Sequence, residues 1–456
     1  MRPSSAWPLL AAAAAALGAA TTPDATAHQY QVGAYYLGMW SPQAYNPVDL
    51  SFSDRSFYVD QGEDWWLGVR TIHDGNLSAI NASDANWIAY GATYREWFSS
   101  TPELKRKPQI GYYNVAEDAT LEAHIEQATS RGLSFFNFYF YYQAYTNSEE
   151  MADALHSFVR VTEGKADAMK FALAICADGW YHSIVRSNIP TVTTLLAEEY
   201  FARPNYLRTA AGSPIVELCD VVGIMEDAQL PTPPASPDWS ATGPIATFIS
   251  ALRNASLAAT GHLPTILGRY DMEAKAYVDG LDELVDGGTC VLSWVPDDGD
   301  YYRQAASTYA TLDSIRTRKP FLPCVANNMD ERPRMGVIKN GPASAFALMS
   351  NYSLANFELS LREARRWVDD QADELSHIIT VYAWNEWHEG GIIEPSEAEG
   401  DARLAAVQAA FGLPAVGAGV TRSGAFAGGA GAAAPAPAAA DDRMRGFVYA
   451  SYRKSV

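Results

Sequence analysis

Eight short apolar runs, separated by segments with helical spacing, constrain the fold of this chain more than any other feature. The runs begin at Val32, Leu133, Phe171, Pro214, Pro264, Thr289, Phe321 and Ile378. Between the first two, for example, Leu121, Ile125 and Ala128 recur at the spacing of one helix face. Strand–helix alternation repeated eight times predicts an α/β fold, a (β/α)8 TIM barrel, with a doubly wound parallel sheet as the alternative.

The two ends of the chain differ in composition from its middle. Arg2 precedes an alanine-rich apolar run, which predicts a signal peptide over residues 1–27, with an uncleaved signal anchor as the alternative. Residues 28–413 have a uniform globular texture and form the predicted main domain, in which residues 38–130 supply long loops over the barrel mouth. Residues 414–456 are mostly Ala, Gly and Pro as far as position 440, which predicts a disordered linker and tail.

The net charge and the sequence signals for secretion limit the binding partners and the location that this chain can have. A net charge of −20 argues against nucleic acid as a partner, because phosphates would be repelled. No later stretch is long enough for a membrane span. The signal peptide predicts a secreted or secretory-lumen protein, and four Asn-X-Ser sequons fit a glycoprotein: Asn76, Asn81, Asn254 and Asn351.

The four cysteines lack metal-ligand spacing and are interpreted as free buried thiols rather than two disulfides.

The segment that follows the last apolar run, Val381–Pro395, carries the densest chemistry. It contains three glutamates, two tryptophans, an asparagine and a histidine. Glu386 and Glu389 lie three residues apart where the last strand would leave the barrel, at the face where TIM-barrel active sites form. Two nearby carboxylates hold different pKa values, so that one remains protonated while the other is ionised, as cleavage of a glycosidic bond requires. We therefore predict that Glu386 and Glu389 are catalytic.

Other polar and aromatic residues at the ends of the runs are predicted to bind a carbohydrate substrate. Sugar hydroxyls need planar hydrogen-bonding groups, and sugar faces pack on aromatic rings. The predicted binding residues are Tyr35, Tyr36, Asn137, Tyr139, Asp178, Trp180, Trp294, Asp330, Arg334, Trp384, Asn385, Trp387, His388 and Glu394. No glycine-rich phosphate loop follows a run and the histidines form no ligand pattern, so neither a cofactor nor a metal is predicted.

Four segments together resemble the glycoside hydrolase family 99-like group, which includes WbsX-like proteins and endo-α-mannosidases. They occur in order within residues 31–400, and the last is the most specific. The segments are Pro108–Asn114, Tyr200–Leu207, Pro323–Arg334, and Ala383–Gly390 with Ile393–Pro395. The resemblance implies a (β/α)8 barrel that hydrolyses a glycan or polysaccharide. For the endo-α-mannosidase branch it also implies endo action with retention of anomeric configuration.

The resemblance also implies roles for the two glutamates. Glu386 would deprotonate the 2-hydroxyl of the sugar, which attacks the anomeric carbon to give a 1,2-anhydro sugar. Glu389 would protonate the leaving oxygen and then activate water. Two alternatives remain: a glycosyltransferase, which WbsX-like proteins are often labelled, and a catalytically inactive carbohydrate-binding barrel. The missing nucleotide-sugar features count against the first, and the intact glutamate pair counts against the second.

Overall fold

A computed structural model describes the elements that build the core of the chain. It covers residues 30–41, 65–66, 69–70, 73, 106–165, 167–177, 182–226, 238–270, 280–290, 300–301, 319–334, 348–371, 375 and 377–414. The strands are β1 (Gln31–Tyr36), β2 (Phe135–Gln143), β3 (Ser148–Glu150), β4 (Lys170–Cys176), β5 (Ile184–Val185), β6 (Ile215–Asp220), β7 (Ile224–Met225), β8 (Thr265–Arg269), β9 (Gly287–Thr289), β10 (Phe321–Leu322), β11 (Cys324–Ala326), β12 (Ile378–Tyr382), β13 (Asn385–Glu386) and β14 (Gly391–Ile392). The helices are α1 (Asp118–Ser130), α2 (Asp153–Thr162), α3 (Ile189–Leu195), α4 (Pro244–Thr260), α5 (Leu354–Asp369) and α6 (Ala402–Phe411), with a π-helical turn at Leu196–Phe201 and a 3-10 turn at Arg332–Arg334.

The parallel strands close into a ring. Pairing runs in the order β10, β9, β8, β6, β4, β2, β1, β12 and β11. β10 and β11 are the two halves of one apolar run, interrupted at Pro323, so β9 pairs with the first half and β12 with the second. The ring therefore has eight strand positions within the described residues, and the predicted (β/α)8 barrel is confirmed.

Alternation along each strand separates the barrel interior from the surrounding helices. In β1, Val32, Ala34 and Tyr36 pack in the layer between strands and helices. Tyr35 instead belongs to a cluster inside the barrel. Gly33 also points inward, and a Cβ atom there would lie 2.4 Å from the ring of Phe135, so this position requires glycine.

The sixth strand lies earlier in the chain than predicted. The apolar run begins at Thr289, but β9 ends there and starts at Gly287. The two glycines suggest a turn in the sequence, whereas in the barrel they make room for neighbouring rings. A Cβ atom at Gly288 would lie 2.4 Å from the ring of Tyr270. The later part of the predicted run, 291–294, falls outside the described residues.

Helix boundaries follow from local chemistry. Ser353 precedes α5 and its hydroxyl accepts a hydrogen bond from the Asn356 backbone N–H at 3.1 Å, which caps the first turn. α4 ends at Gly261, whose φ of 77° suits glycine. α1 buries Leu121 and Ala128 in the main core. The helix predicted from the spacing of Leu121, Ile125 and Ala128 is thus confirmed, and the region predicted to form mouth loops ends before residue 118.

All four cysteines are paired in disulfides. Cys176 bonds to Cys219 and Cys290 bonds to Cys324, with Cα–Cα distances of 4.8 and 5.3 Å. Each bond joins neighbouring regions of the barrel ring, although its cysteines are 43 or 34 residues apart. The prediction of free thiols is wrong because strand adjacency, not spacing in the sequence, brings the sulfur atoms together.

Several predictions concern residues that the structure does not describe. These are the signal peptide (1–27), the sequons at Asn76 and Asn81, and the tail beyond Pro414. In the part of the chain that is described, no helix is long and apolar enough to cross a membrane.

Candidate active site

The two predicted catalytic glutamates share one tight turn at the end of β12. After Tyr382, where a cis peptide bond leads into Ala383, the chain forms a hairpin in which β13 and β14 pair antiparallel. The Glu389 backbone N–H donates to the Glu386 carbonyl at 3.0 Å and closes the turn between these strands. Both carboxylates therefore lie at the C-terminal face of the barrel, where parallel strands present functional groups.

Glu389 is held from two sides. The Tyr382 hydroxyl donates a hydrogen bond to Glu389 Oε2. Gly391 makes this contact possible, because a Cβ atom there would lie 2.4 Å from the Tyr382 ring. On the other side, the Asp330 backbone N–H donates to the Glu389 carbonyl at 2.5 Å. Glu386 and Glu389 are only 5% and 9% exposed, so both carboxyl groups are largely shielded from water.

Asp330 is fixed by two arginines. Its Oδ2 lies 2.8 Å from Arg332 Nη2 and 3.2 Å from Arg106 Nη2. Burial lowers the pKa of Arg106, and the charge of Asp330 opposes that shift. Asp330 thus acts as a buried counter-ion that anchors the loop next to Glu389. Of Arg334, only the backbone is described.

Two tyrosines inside the barrel lie beside the glutamates. Tyr35 and Tyr139 stack with ring centroids 5.5 Å apart and an interplanar angle of 11°. Burial raises the pKa of Tyr139 well above its usual value, and the charges of Glu386 and Glu389 add to this shift. Tyr139 is therefore a protonated phenol next to the glutamate pair.

Glu217 is a further interior carboxylate that the list of predicted site residues omits. It is 2% exposed, and its Oε2 accepts a hydrogen bond from the Tyr35 hydroxyl at 2.5 Å. Its signal in the sequence is a single acidic residue within the apolar run Ile215–Cys219.

Asn137 is level with Tyr35 on the adjacent strand and is fully buried. Within the described residues, neither polar atom of the Asn137 side chain has a hydrogen-bond partner.

A second group of predicted binding residues lies outside the barrel interior, between the strands and α1. Glu394 accepts hydrogen bonds from Tyr113 at 2.7 Å and from Trp387 Nε1 at 2.8 Å, and it pairs with His124 Nε2 at 3.1 Å. The Tyr36 hydroxyl lies 2.8 Å from His124 Nδ1. Tyr36, Trp387 and Glu394 are thus joined in a buried polar network of the core, away from Tyr35 and Tyr139.

Three more predicted residues hold the motif in place. Asn385 Oδ1 accepts from the Leu37 backbone N–H at 2.8 Å, and its Nδ2 donates to the Leu37 carbonyl at 3.0 Å. His388 packs edge-on against Trp40 with centroids 4.6 Å apart. Trp384 is fully buried in the main core. Of the predicted set, the structure brings Tyr35 and Tyr139 together with Glu386 and Glu389.

The remaining predicted positions cannot be placed. Asp178, Trp180 and Trp294 lie outside the described residues. Among the residues that are described, no group of three or more His, Cys, Asp and Glu side chains is arranged to hold a metal ion.

Comparisons with known proteins agree with this fold. A family model described as Glycosyltransferase WbsX matches residues 272–407, which include β12 and both glutamates. A solved structure titled Glycoside hydrolase-like protein is 15% identical with a TM-score of 0.53, over 87% of this chain and 97% of its own. The GH99 endo-alpha-mannosidase from Bacteroides thetaiotaomicron is 14% identical with a TM-score of 0.44, over 67% of this chain and 82% of its own. A GH113 beta-1,4-mannanase is 8% identical with a TM-score of 0.38, over 67% and 95%.

Comparison with curated proteins gives no match. The chain thus has the barrel fold of a glycoside hydrolase-like protein. The resemblance to WbsX-like proteins that the sequence predicts is confirmed over residues 272–407.

Proposed function

We propose that this chain is a glycoside hydrolase in which Glu386 and Glu389 carry out the proton transfers. The observation that carries the proposal is the placement of both carboxylates in one shielded turn at the C-terminal face of the barrel. Tyr382 orients Glu389, and the protonated phenol of Tyr139 lies beside the pair. A shielded pair of acids can divide the roles of proton donor and proton acceptor.

The division of roles follows from the resemblance to the family 99-like group. Glu386 takes the proton of the substrate 2-hydroxyl while that oxygen attacks the anomeric carbon and the glycosidic bond breaks. Glu389 gives its proton to the departing oxygen. In the second step Glu389 takes a proton from water, which opens the anhydro ring, and Glu386 returns a proton to the 2-oxygen. The Tyr382 hydroxyl steadies Glu389 throughout this cycle.

The cellular setting that we propose is the exterior or the secretory lumen. Two disulfides support an oxidising compartment, because such bonds are rare in reducing cytosol. The predicted signal peptide points the same way. The substrate would then be an extracellular or lumenal glycan.

Substitution of each glutamate tests the proposed activity. Release of reducing ends from a panel of polysaccharides is measured for Glu386→Gln, Glu389→Gln and, as a matched control, Glu397→Gln. Loss of a general acid or base costs about 10²–10⁴-fold in rate, so the first two variants should be nearly inactive at an unchanged melting temperature. Glu397 is an exposed residue paired with Lys107, and its variant should retain activity. Wild-type turnover by either of the first two variants would contradict the assignment of that glutamate as catalytic.

A 2-fluoro glycoside tests the mechanism. A substrate without a 2-hydroxyl has no internal nucleophile, so we expect neither turnover nor a covalent adduct. Intact-protein mass spectrometry after incubation with an activated 2-fluoro glycoside gives the answer. A stable adduct on Glu386 would instead identify it as a direct nucleophile in a double displacement.

The glycosyltransferase alternative is favoured by the name of the matching family model. It requires sugar transfer from an activated donor rather than to water. Incubation with a panel of nucleotide sugars and acceptor oligosaccharides separates the two functions. Transfer without hydrolysis of any polysaccharide would favour the transferase.

A further inference from the structure

An aromatic ladder starts inside the barrel, passes the glutamate pair at Tyr139 and leads to the rim of the barrel. It consists of Tyr35, Tyr139, Tyr141 and His182. Successive ring centroids are separated by 5.5 Å, 6.3 Å and 4.2 Å along this order. The rings therefore form one continuous series of contacts from the interior outward.

The ladder is buried at its two ends, Tyr35 and His182, and accessible in its middle. Tyr35 is fully buried, whereas Tyr139 and Tyr141 are partly exposed. Both of the latter lie on the inner face of β2, because alternate residues of a strand share a face. β2 continues past the ring of barrel strands and pairs antiparallel with β3, where Tyr141 is opposite Glu150. The inner face of β2 thus extends the wall of the site toward solvent.

The outer end of the ladder is held by an acidic residue. His182 Nε2 lies 3.9 Å from Glu150 Oε2, and the His182 ring is almost completely buried against Tyr141. Carboxylates therefore lie along the whole ladder, with Glu217 bonded to Tyr35 at the inner end, Glu386 and Glu389 beside Tyr139, and Glu150 at the outer end. Together with the net charge of −20, this arrangement disfavours anionic ligands such as uronate or sulfated chains.

We propose that Tyr139 and Tyr141 form a binding subsite for a sugar unit that is not itself cleaved, so that the substrate is a neutral glycan chain of several units. The proposal rests on the proposed hydrolase function. Aromatic faces bind the C–H face of a pyranose, and the phenol hydroxyls supply hydrogen bonds at its edge. A chain that occupies the cleavage position at Glu386 and Glu389 would place a neighbouring unit along this strip.

Chain-length dependence of binding tests the proposal independently of turnover. Isothermal titration uses the Glu389→Gln background, with disaccharides and hexasaccharides prepared from neutral mannan, xylan and glucan. For the neutral series that binds, Tyr141→Ala should raise the hexasaccharide Kd about tenfold and leave the disaccharide Kd unchanged. Tyr141→Phe, which keeps the ring, should retain most of the affinity. The matched control is Tyr145→Ala, which removes an exposed tyrosine at the tip of the same hairpin and should change neither Kd.

Each outcome bears on the proposal. An equal loss for both chain lengths, no loss for either, failure of every neutral hexasaccharide to bind, or equally tight binding of an oligogalacturonate hexamer would overturn it. If Tyr141→Ala does not fold, Tyr141→Leu removes the aromatic face while keeping apolar bulk and should give the same result. Hexasaccharide binding that depends on Tyr141, found together with no hydrolysis by the wild type, would refute the hydrolase function and leave the subsite standing.

Discussion

The three glutamates in the segment after β12, Glu386, Glu389 and Glu394, have different surroundings. Glu386 and Glu389 lie beside the interior tyrosines. The Glu394 side chain has no exposed surface and is surrounded by donors from Tyr113, Trp387 and His124. A carboxylate with this set of partners belongs to the core, and Glu394 therefore has a structural role.

Replacement of Glu394 should affect stability before it affects catalysis. Glu394→Ala leaves several buried polar groups without a partner, and we expect a loss of about 3 kcal/mol in the free energy of unfolding. Glu394→Gln keeps part of the network and should lose less. Thermal and urea denaturation measure both variants. An unchanged melting temperature with a raised KM would show that Glu394 binds substrate instead.

The glutamate pair could be predicted from sequence because carboxylates at a strand exit are a local pattern. Which neighbouring residues lie inside the barrel and which lie in the outer core could not be predicted from sequence. Tyr36 follows Tyr35 directly, yet alternation along β1 sends one ring outward to His124 and the other inward to Glu217. Which face of a strand is the interior depends on the closed ring of strands. Glu217, the single acidic residue in β6, is recognised as an interior carboxylate only because Tyr35 is hydrogen-bonded to it.

At the scale of elements, the seventh strand position, which closes the barrel, consists of two short strands, β10 and β11. Pro323 separates β10 from β11, and each half pairs with a different neighbour. The Cys290–Cys324 bond links this run to the region just after β9. Apolar runs predicted seven of the eight strand positions, whereas the start of β9 at its glycines and the pairing of the cysteines depended on contacts between strands that no local pattern encodes.

Removal of either disulfide should lower stability substantially. The bonds close loops of 43 and 34 residues, and loss of one typically costs about 2–4 kcal/mol. The double variants Cys176→Ser with Cys219→Ser, and Cys290→Ser with Cys324→Ser, should each melt at a lower temperature than the wild type. Wild-type protein in a strong reductant should approach the same behaviour. Equal melting temperatures with and without reductant would contradict a structural role for the bonds.

At the scale of the whole molecule, the last core contacts that the structure describes lie close to Pro414. α6 ends at Phe411, and Leu413 beyond it is only 7% exposed within the main core. Leu413 and Pro414 also lie against Gly132, where a Cβ atom would be 2.6 Å from Leu413. The predicted boundary at residue 413 is therefore close to the last core contact that the structure describes.

Two truncations should locate that boundary. A chain ended after Pro414 should keep its activity and melting temperature, because the Ala/Gly/Pro-rich sequence beyond has little apolar surface to bury. A chain ended at Gly412 also loses the buried Leu413 side chain, which should cost about 2 kcal/mol. Calorimetry of both chains against the full-length protein measures the difference. A fall of many degrees for the longer truncated chain would mean that residues beyond 414 stabilise the barrel.

The two hydrogen bonds between the Asn385 side-chain amide and the Leu37 backbone have a consequence for how the chain folds. The two residues are 348 positions apart, and their contact joins the end of β1 to β13, in the hairpin that follows the last barrel strand. High contact order makes such a closure slow, and no partly synthesised chain can assemble the glutamate turn. The segment that would cut glycans is thus completed only after the rest of the barrel has been synthesised, and recovery of activity during refolding would report the final closure event.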